Sequence, residues 1–251
     1  MLPANAMSAA PPISVIVACK NPGPRLHAAL ASIWAQRDVE LDIVVIDGDS
    51  TEGSREWLGS QRSRLGTLIS EPDAGIYEAM NKGVLAARGD WILFLGADDR
   101  LVDAQTLNAT LPWLDSAAAG VVAGEAAFDD GRIYKFSSGA NPIARNFVHH
   151  QSALCRRSLF AENGNFDASL AVMADYEFNL RLWKNRVSFK PIPLRIATCG
   201  VGGVSDSGSW RGYREEITVR HRHFPALRCL AWDAASVVRY LRKRLVRLFV
   251  R

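Results

Sequence analysis

The sequence predicts an α/β fold with a mostly parallel central sheet flanked by helices and a helical extension at the C-terminus. Three short apolar runs in the first hundred residues have the composition of strands buried on both faces, at residues 13–19, 41–46 and 91–95. Segments with helical spacing of apolar residues separate these runs. This alternation of strands and helices indicates βαβ units and therefore a parallel sheet.

Further elements follow from the spacing of apolar residues and from turn residues. In the first half we predict a helix after residue 24, a short helix at 51–59, a strand at 66–70, and a helix that starts at Ile76 and ends at Gly89. In the second half we predict strands at 120–123, 132–136, 147–155 and 187–193, and helices from residue 111 and over 174–185. Residues 200–212 are rich in glycine and serine, which predicts a mobile flap.

Length and composition limit the classes of protein to which this chain can belong. At 251 residues and 48% hydrophobic content, the chain is long and apolar enough for one large domain with an appendage, and a mostly disordered chain is excluded. We divide it into a disordered leader at 1–11, a main domain at 12–205, and a flexible loop with basic amphipathic helices at 206–251. Six basic residues lie in the last thirteen positions, and without them the net charge changes from +4 to −2. The basic character therefore belongs to the tail, and we predict no nucleic-acid groove.

Cysteine usage and the N-terminus predict where the protein works. The four cysteines are far apart and none has CxxC spacing, which favours a reducing compartment. The N-terminus lacks the basic start and apolar core of a signal peptide, and no run of about 18 apolar residues is present to span a membrane. We therefore expect a cytoplasmic protein.

The C-terminal tail carries apolar residues at helical spacing with basic residues on the remaining face. The apolar positions are Leu227, Leu230, Ala234, Val237, Leu241, Leu245 and Leu248. Such a helix can lie on an anionic membrane surface, and the alternative is packing against the domain or a partner copy. We favour the membrane, which would place the protein peripherally on the inner face of the cell membrane and would suit a lipid-linked acceptor.

Three predicted strands end in polar residues that would meet at one edge of the sheet. These residues are Asn21, Asp47 with Asp49, and Asp98 with Asp99. Ligands of open α/β sheets bind outside the carboxyl ends of strands, so an adjacent carboxylate pair there would handle a cation and a phosphate. Taken singly, each residue fits a turn or a helix cap equally well. Their convergence favours a binding crevice.

The second half offers candidates for proton transfer and metal binding. Asp175 stands at the head of an amphipathic helix, where it suits either a catalytic base or a cap, and only one of Asp175 and Glu177 can face the crevice. The pair of His149 and His150 could complete a metal site through His150, or could have one ring packed and one solvated. Arg211 follows the flap and could move onto a diphosphate, or could belong to a solvated loop.

Six blocks of the sequence, in this order, resemble the family 2 glycosyltransferases. They are SVIVACKN, VVIDGDSTEGS, EPDAGIYEAMNKG, LFLGADD, HHQSALCRRSLFAENGNFD and MADYEFNLRL. The resemblance covers residues 12–205, and the EPDAGIYEAMNKG block is most similar to members that build bacterial surface polysaccharides. The resemblance implies the GT-A fold and an inverting transfer of a sugar from a nucleotide-diphosphate donor to a glycan or lipid-linked acceptor, aided by Mg²⁺ or Mn²⁺.

The resemblance also implies roles for individual residues. Asp47 would contact the nucleoside, Asp98 would lie near the ribose and diphosphate, Asp99 would coordinate the metal, and Asp175 would be the general base. Asp73 and Lys82 match positions that help to hold the base and phosphates, and Asn21 and Arg211 complete the predicted nucleotide-sugar site. Asp49 and Lys20 depart from the family's pattern, and no role is assigned to them.

Two other functions fit parts of the pattern. A sugar nucleotidyltransferase would also use an acidic metal site, but it would need a glycine-rich phosphate loop after the first strand. That turn reads CKNPGPR here, and its two prolines remove amide donors. A non-catalytic scaffold that binds sugar nucleotides is the other alternative, because a fold does not guarantee activity.

Overall fold

The computed structural model describes residues 12–114, 119–201 and 209–249. In chain order the strands are β1 (Ile13–Cys19), β2 (Leu41–Asp47), β3 (Thr67–Ser70), β4 (Trp91–Gly96), β5 (Arg100–Leu101), β6 (Val121–Phe128), β7 (Ile133–Lys135), β8 (Ala153–Arg156) and β9 (Phe189–Cys199). The α-helices are α1 (Arg25–Trp34), α2 (Ser54–Ser60), α3 (Ile76–Ala86), α4 (Leu111–Leu114), α5 (Ser158–Asn163), α6 (Ala174–Lys184), α7 (Trp210–His223) and α8 (Ala226–Phe249). Short 3₁₀ turns lie at Arg62–Arg64, Asn108–Thr110 and His150–Ser152.

The strands form one sheet in the order β3-β2-β1-β4-β8-β6-β9-β5, with β7 paired to β6. The first four strands run parallel to one another, whereas β8 is antiparallel to both of its neighbours. The chain builds outward from β1 to β3 and then returns to place β4 on the other side of β1. Such a reversal of strand order leaves a crevice outside the carboxyl ends of the strands, which is where α/β proteins bind ligands.

Helices cover both faces of the sheet because successive side chains of a strand point to opposite faces. On β1, Ile16 packs on the same side as Met80 and Val84 of α3, and Val15 and Val17 pack on the opposite side. The second side is covered by α1 through Leu26, Leu30 and Ile33. The central strands are therefore buried on both faces, which explains why their sequences are continuous apolar runs.

The structure confirms the α/β prediction and corrects several boundaries. Residues 147–155, predicted as one strand, contain the 3₁₀ turn at His150–Ser152 followed by the short β8. The late strand predicted at 187–193 is β9, which continues to Cys199. Helix α3 ends at Ala86, before Gly89. Position 89 requires glycine for close packing and not for ending the helix, because a Cβ there would lie 2.5 Å from the backbone nitrogen of Ser14.

At the C-terminus, α7 and α8 pack on each other and on the domain. The guanidinium of Arg220 is fully buried between Glu216 of its own helix and Asp233 of α8. The predicted leader at 1–11 and residues 202–208 of the predicted flap lie outside the described residues. None of the described helices combines the length and the apolar composition that crossing a bilayer requires.

Candidate active site

Two loops at the ends of β1 and β2 are joined by Asn21. This residue has a left-handed backbone (φ 47°), its N–H donates to Ser50 Oγ at 2.8 Å, and its Oδ1 accepts from the N–H of Thr51 at 2.9 Å. Asp47 is fully buried, and it accepts hydrogen bonds from the hydroxyls of Ser50 and Ser70. The predicted contact between Asp47 and a nucleoside stays a prediction; in the structure the carboxylate is enclosed and supports the loops at the ends of β1 and β2.

The loop between β3 and α3 is held by Asp73 and Lys82. Asp73 Oδ1 accepts from the N–H of Gly75 at 3.0 Å. Gly48 of the neighbouring loop packs so closely on Asp73 that a Cβ at position 48 would collide with the carboxylate. The ammonium of Lys82 contacts Glu71 Oε1 at 2.8 Å and Glu78 Oε1 at 3.2 Å, and the hydrogen bond that it donates to Glu71 is the main cause of its raised pKa. Lys82 thus ties the loop to α3, and a phosphate would have to compete with two carboxylates for it.

The acidic pair after β4 is divided into a buried and an accessible member. Asp99 is 2% exposed, and it accepts hydrogen bonds from the N–H groups of Gly96 at 2.8 Å and Gly200 at 3.2 Å. Burial raises the pKa of Asp99 above its ordinary value, and the charge of Asp98 raises it further. The side chain of Asp98 is 30% exposed, and its Oδ2 lies 3.8 Å from Arg25 Nη1. Asp98 is therefore the more open carboxylate of the pair.

A divalent cation fits the chemistry of this turn, although no cluster of three His, Cys, Asp or Glu ligands is preformed among the described residues. Asp99 accepts a hydrogen bond from the side-chain amide of Gln151. The other polar atom of that side chain, Oε1, is buried and has no hydrogen-bond partner among the described residues. Mg²⁺ and Mn²⁺ prefer oxygen ligands, and Mg²⁺ commonly takes only one or two carboxylates from the protein. Oxygens of Asp98, Asp99 and Gln151 are the ligands that this region can offer.

Asp175, at the start of α6, is the most heavily hydrogen-bonded carboxylate of the site. Its Oδ2 accepts from Asn146 Nδ2 at 2.8 Å and lies 3.2 Å from His150 Nδ1. Its Oδ1 accepts from the N–H of Tyr176 at 2.8 Å and lies 3.1 Å from the hydroxyl of Tyr77. Burial alone would raise the pKa of Asp175, but the interaction with His150 and the other hydrogen bonds outweigh it, so its pKa is lowered. The carboxylate is thus held ionised in a mostly dry position.

The histidine pair is arranged differently from the strand that the sequence predicted. The two rings lie nearly parallel, with centroids 5.8 Å apart. Burial lowers the pKa of His149 to about 4. The Nδ1 of the predicted metal ligand His150 lies 3.2 Å from Asp175 Oδ2, and the next residue, Gln151, hydrogen-bonds to Asp99. The 3₁₀ turn at His150–Ser152 therefore contacts both carboxylate regions, which are neighbours in the fold.

Glu177 and Arg211 bind partners other than the acidic groups of the site. Glu177 binds Arg181 and His223, so of the two acids only Asp175 joins the site. Arg211, predicted to reach a diphosphate, instead binds Glu215 Oε1 at 3.0 Å. Glu215 also accepts the N–H groups of residues 171–173, immediately before α6. The predicted contact of Arg211 with a diphosphate stays a prediction; in the described structure Arg211 supports, through Glu215, the segment that carries Asp175.

Sequence reasoning missed four residues of the site. Tyr77, Asn146 and Gln151 contact the two acidic groups, and Arg25 faces Asp98. Tyr77 and Gln151 lie inside blocks that the sequence had already singled out, so proximity to those motifs was an available signal. Asn146 lies in an irregular segment and carried no such signal.

The fold and site define an α/β protein whose ligand crevice lies at the carboxyl ends of parallel strands. The sequence model described as Glycosyl transferase family 2 matches residues 14–219, and the chain belongs to this family. A PGL/p-HBAD biosynthesis glycosyltransferase from Mycobacterium bovis is 32% identical over 192 residues, which cover 70% of this chain and 72% of that protein. An uncharacterised glycosyltransferase of Mycobacterium tuberculosis is 28% identical over 234 residues, 87% of each chain.

Solved structures show the same GT-A fold. TarS 1–349 of Staphylococcus aureus in complex with UDP-GlcNAc has a TM-score of 0.68 at 18% identity, covering 90% of this chain and 71% of that one. The mannosyltransferase PcManGT of Pyrobaculum calidifontis, in complex with GDP-Man and Mn²⁺, has a TM-score of 0.66 at 21% identity, covering 91% and 70%. The chain spans 39% of a longer TarS chain of known structure. At these identities the likeness extends to the fold alone.

Proposed function

We propose that this protein is an inverting glycosyltransferase that moves a sugar from a nucleotide-diphosphate donor to a hydroxyl of a glycan or lipid-linked acceptor, with Mg²⁺ or Mn²⁺, in cell-surface polysaccharide synthesis. The observation that carries the proposal is a buried, ionised Asp175 close to the acidic turn of Asp98 and Asp99, with the 3₁₀ turn at His150–Ser152 in contact with both. Relatives named for PGL/p-HBAD biosynthesis support a role in the synthesis of cell-surface glycans. A structural neighbour bound to UDP-GlcNAc supports a nucleotide-diphosphate sugar as the donor.

The donor end of the site must accommodate a diphosphate that gains negative charge as it leaves. When bound, a divalent cation at Asp98, Asp99 and Gln151 supplies positive charge to the two phosphates. The loops fixed by Asn21, Asp47 and Asp73 form the wall against which the nucleoside binds. Lys82 adds a positive charge beside this wall, once it exchanges a carboxylate partner for a phosphate oxygen.

The acceptor end requires a base for the incoming hydroxyl. Asp175 takes the proton as the acceptor oxygen bonds to the anomeric carbon from the face opposite the leaving group, and the bond to the phosphate oxygen breaks with its electron pair going to the diphosphate. Asn146, Tyr77 and the N–H of Tyr176 fix the direction of the carboxylate, so little reorganisation precedes the transfer.

The proposed location is the cytoplasm and the inner face of the cell membrane. All four cysteines are buried and unpaired, as expected of a protein in a reducing compartment. A lipid-linked acceptor would be met at the membrane surface. A glycan acceptor would be met either there or in the cytoplasm.

A thermal-shift panel of nucleotide diphosphates and their sugars, with and without Mn²⁺, tests the proposal. A ligand that binds the folded state raises the melting temperature, so the correct donor should stabilise the protein more with the metal than without it. Asp99→Asn should remove the metal-dependent part of that shift. Asp90→Asn, an exposed acid on the loop before β4, is the matched control and should keep it.

Turnover distinguishes an enzyme from a scaffold on the same fold. With the donor identified by the panel, the enzyme should release nucleotide diphosphate in the presence of Mn²⁺, slowly to water and faster to an acceptor hydroxyl. Binding of donor without any release of nucleotide diphosphate would overturn the proposal in favour of a non-catalytic scaffold.

A further inference from the structure

Helix α8 exposes a continuous apolar stripe to solvent. Its members with large exposed fractions are Leu227 (87%), Leu230 (59%), Val238 (62%), Leu241 (50%) and Leu245 (54%). At 100° per residue these positions project from one side of the helix, together with Ala234 and Val237. The stripe runs through most of the 24-residue helix, so it is a feature of the whole element rather than an isolated exposed leucine.

The opposite side of α8 is the one that packs on the domain, and it is mostly small or polar. Cys229 and Ser236 are completely buried there, and Asp233 binds Arg220 and His221 of α7. Near the middle of the helix, Tyr240 packs its ring 5.0 Å from that of Trp210. Because the buried guanidinium of Arg220 is shared between Glu216 and Asp233, α8 cannot rotate its apolar stripe inward without depriving that buried charge of one of its two carboxylates.

Basic side chains border the stripe. Arg242 and Arg244 are exposed, and helical geometry places them on the two sides of Leu241 and Leu245. The sequence of α8 contains one acid, Asp233, and that acid is already paired with α7. The exposed surface of the second half of the helix therefore combines aliphatic side chains with uncompensated positive charge.

We infer that α8 is an interfacial anchor that lies on a bilayer containing anionic lipids, with its apolar stripe in the acyl boundary and its arginines among the headgroups. Amphipathic helices of this kind bind through buried apolar area together with attraction to anionic lipid. A second copy of the chain suits the surface less well. A two-fold pairing of the same face would double the number of basic side chains beside the stripe and would bring no exposed acid to offset them.

The anchor would set the position of the active site relative to the membrane. Helix α8 is fixed to α7 by the cluster around Arg220, and α7 holds residues 171–173 through Glu215, directly before Asp175. The inference rests on the proposed function only where it concerns the acceptor. If α8 is a membrane anchor, a lipid-linked acceptor at the membrane surface is favoured over a freely diffusing glycan.

Co-sedimentation of the full chain with vesicles tests the anchor. We expect binding to vesicles of phosphatidylcholine with phosphatidylglycerol and much weaker binding to phosphatidylcholine alone. The double variant Leu241→Gln, Leu245→Gln should lower the partition coefficient at least tenfold, because it removes two side chains from the buried stripe. Arg242→Gln and Arg244→Gln should each lower it about fivefold, and added salt should weaken the wild type.

Matched control variants distinguish loss of the anchor from a general loss of apolar or positive side chains at the surface. Leu85→Gln removes an exposed leucine of α3 (80% exposed), and Arg37→Gln removes an exposed arginine after α1. Both should bind vesicles like the wild type. The melting temperature of each α8 variant should stay near that of the wild type, since the substituted side chains are exposed.

Three results would overturn the inference. They are equal binding to both kinds of vesicle, no binding to either, and α8 variants that sediment as monomers where the wild type is a dimer, which would assign the stripe to a second copy. The donor-induced thermal shift is measured on the same variants. Its presence without vesicle binding would reject the anchor and leave the proposed function intact, and the reverse result would reject the proposed function alone.

Discussion

The two ends of the crevice are built in different ways. At the donor end, polar groups are satisfied close by: Asp99 by the amide of Gly96, Asp73 by that of Gly75, and Asp47 in part by Ser50. At the acceptor end, Asp175 is held mainly by Asn146, His150 and Tyr77, which are 29, 25 and 98 residues away in the chain. Each carboxylate of the proposed donor end thus has a partner in its own turn besides distant ones such as Ser70 and Gly200, whereas at the proposed acceptor end Asp175 depends mainly on distant side chains.

This difference teaches where substitutions should be tolerated. A local turn keeps its shape when a distant contact is lost, because its hydrogen bonds lie within a few residues. A carboxylate held by three separate segments depends on every one of them, and its ionisation follows their positions. We therefore expect substitutions around Asp175 to affect catalysis more than comparable substitutions among the exposed groups of the first half.

Asp175→Asn gives the largest expected effect. The amide cannot accept a proton from the acceptor hydroxyl, so kcat should fall by about 10²–10⁴ while the donor-induced thermal shift is retained. Steady-state kinetics with the identified donor measures the loss. Full turnover with normal donor binding would show that the proton goes elsewhere.

Glu177→Gln is the matched control on the same helix. Glu177 is as buried as Asp175, but it binds Arg181 and His223 away from the crevice. We expect kcat to stay within about threefold of the wild type. The melting temperature should fall, because Arg181 and His223 lose the carboxylate that binds them. A large loss of kcat in this variant would indicate that Glu177, and not Asp175, is the base.

Tyr77→Phe has an intermediate expected effect on activity and tests how Asp175 is held in position. The hydroxyl of Tyr77 lies 2.8 Å from the carbonyl of Val172 and 3.1 Å from Asp175 Oδ1, so it links α3 of the first half to the base. Its removal should cost about 1 kcal/mol of stability. The hydroxyl stabilises the ionised form of Asp175, so its loss should raise the pKa of that carboxyl and move the acid limb of the pH–rate profile upward.

The kinetics of Tyr77→Phe distinguish positioning of the base from simple loss of stability. We expect kcat to fall by up to about tenfold with KM for the donor nearly unchanged. A variant with a lower melting temperature but an unaltered pH–rate profile would show that Tyr77 supports the fold and does not act on the base.

Arg55→Ala gives the smallest expected effect and probes the donor end. Arg55 pairs with Asp49 at 2.7 Å, and both side chains are largely exposed, so the pair should contribute about 0–1 kcal/mol. The melting temperature should change by no more than about 4 °C, with donor binding unaffected. A larger loss of donor binding would mean that the left-handed backbone of Asp49 (φ 63°) depends on this ion pair and that the loop is not locally built.

Local patterns predicted the first half closely. The run from Ile13 to Cys19 is β1 without change, and the strands predicted at 41–46 and 91–95 are β2 and β4 with one residue added to each. The convergence of Asn21, Asp47 and the acidic pair follows from parallel pairing of β1 with β2 and β4. What the pattern could not decide is exposure: Asp47 and Asp99 are buried, and Asp98 is the open one.

By itself, the sequence determined the α/β class, the strand ends that form the crevice and the amphipathic character of α8, because these depend on apolar periodicity and on turn residues that act over a few positions. Only the tertiary structure decided that Asp175 rather than Glu177 joins the site, that His150 contacts it, that Arg211 turns to Glu215, and that α8 buries its polar side. These outcomes depend on contacts between residues far apart in the chain, and spacing along one sequence carries no measure of such distances.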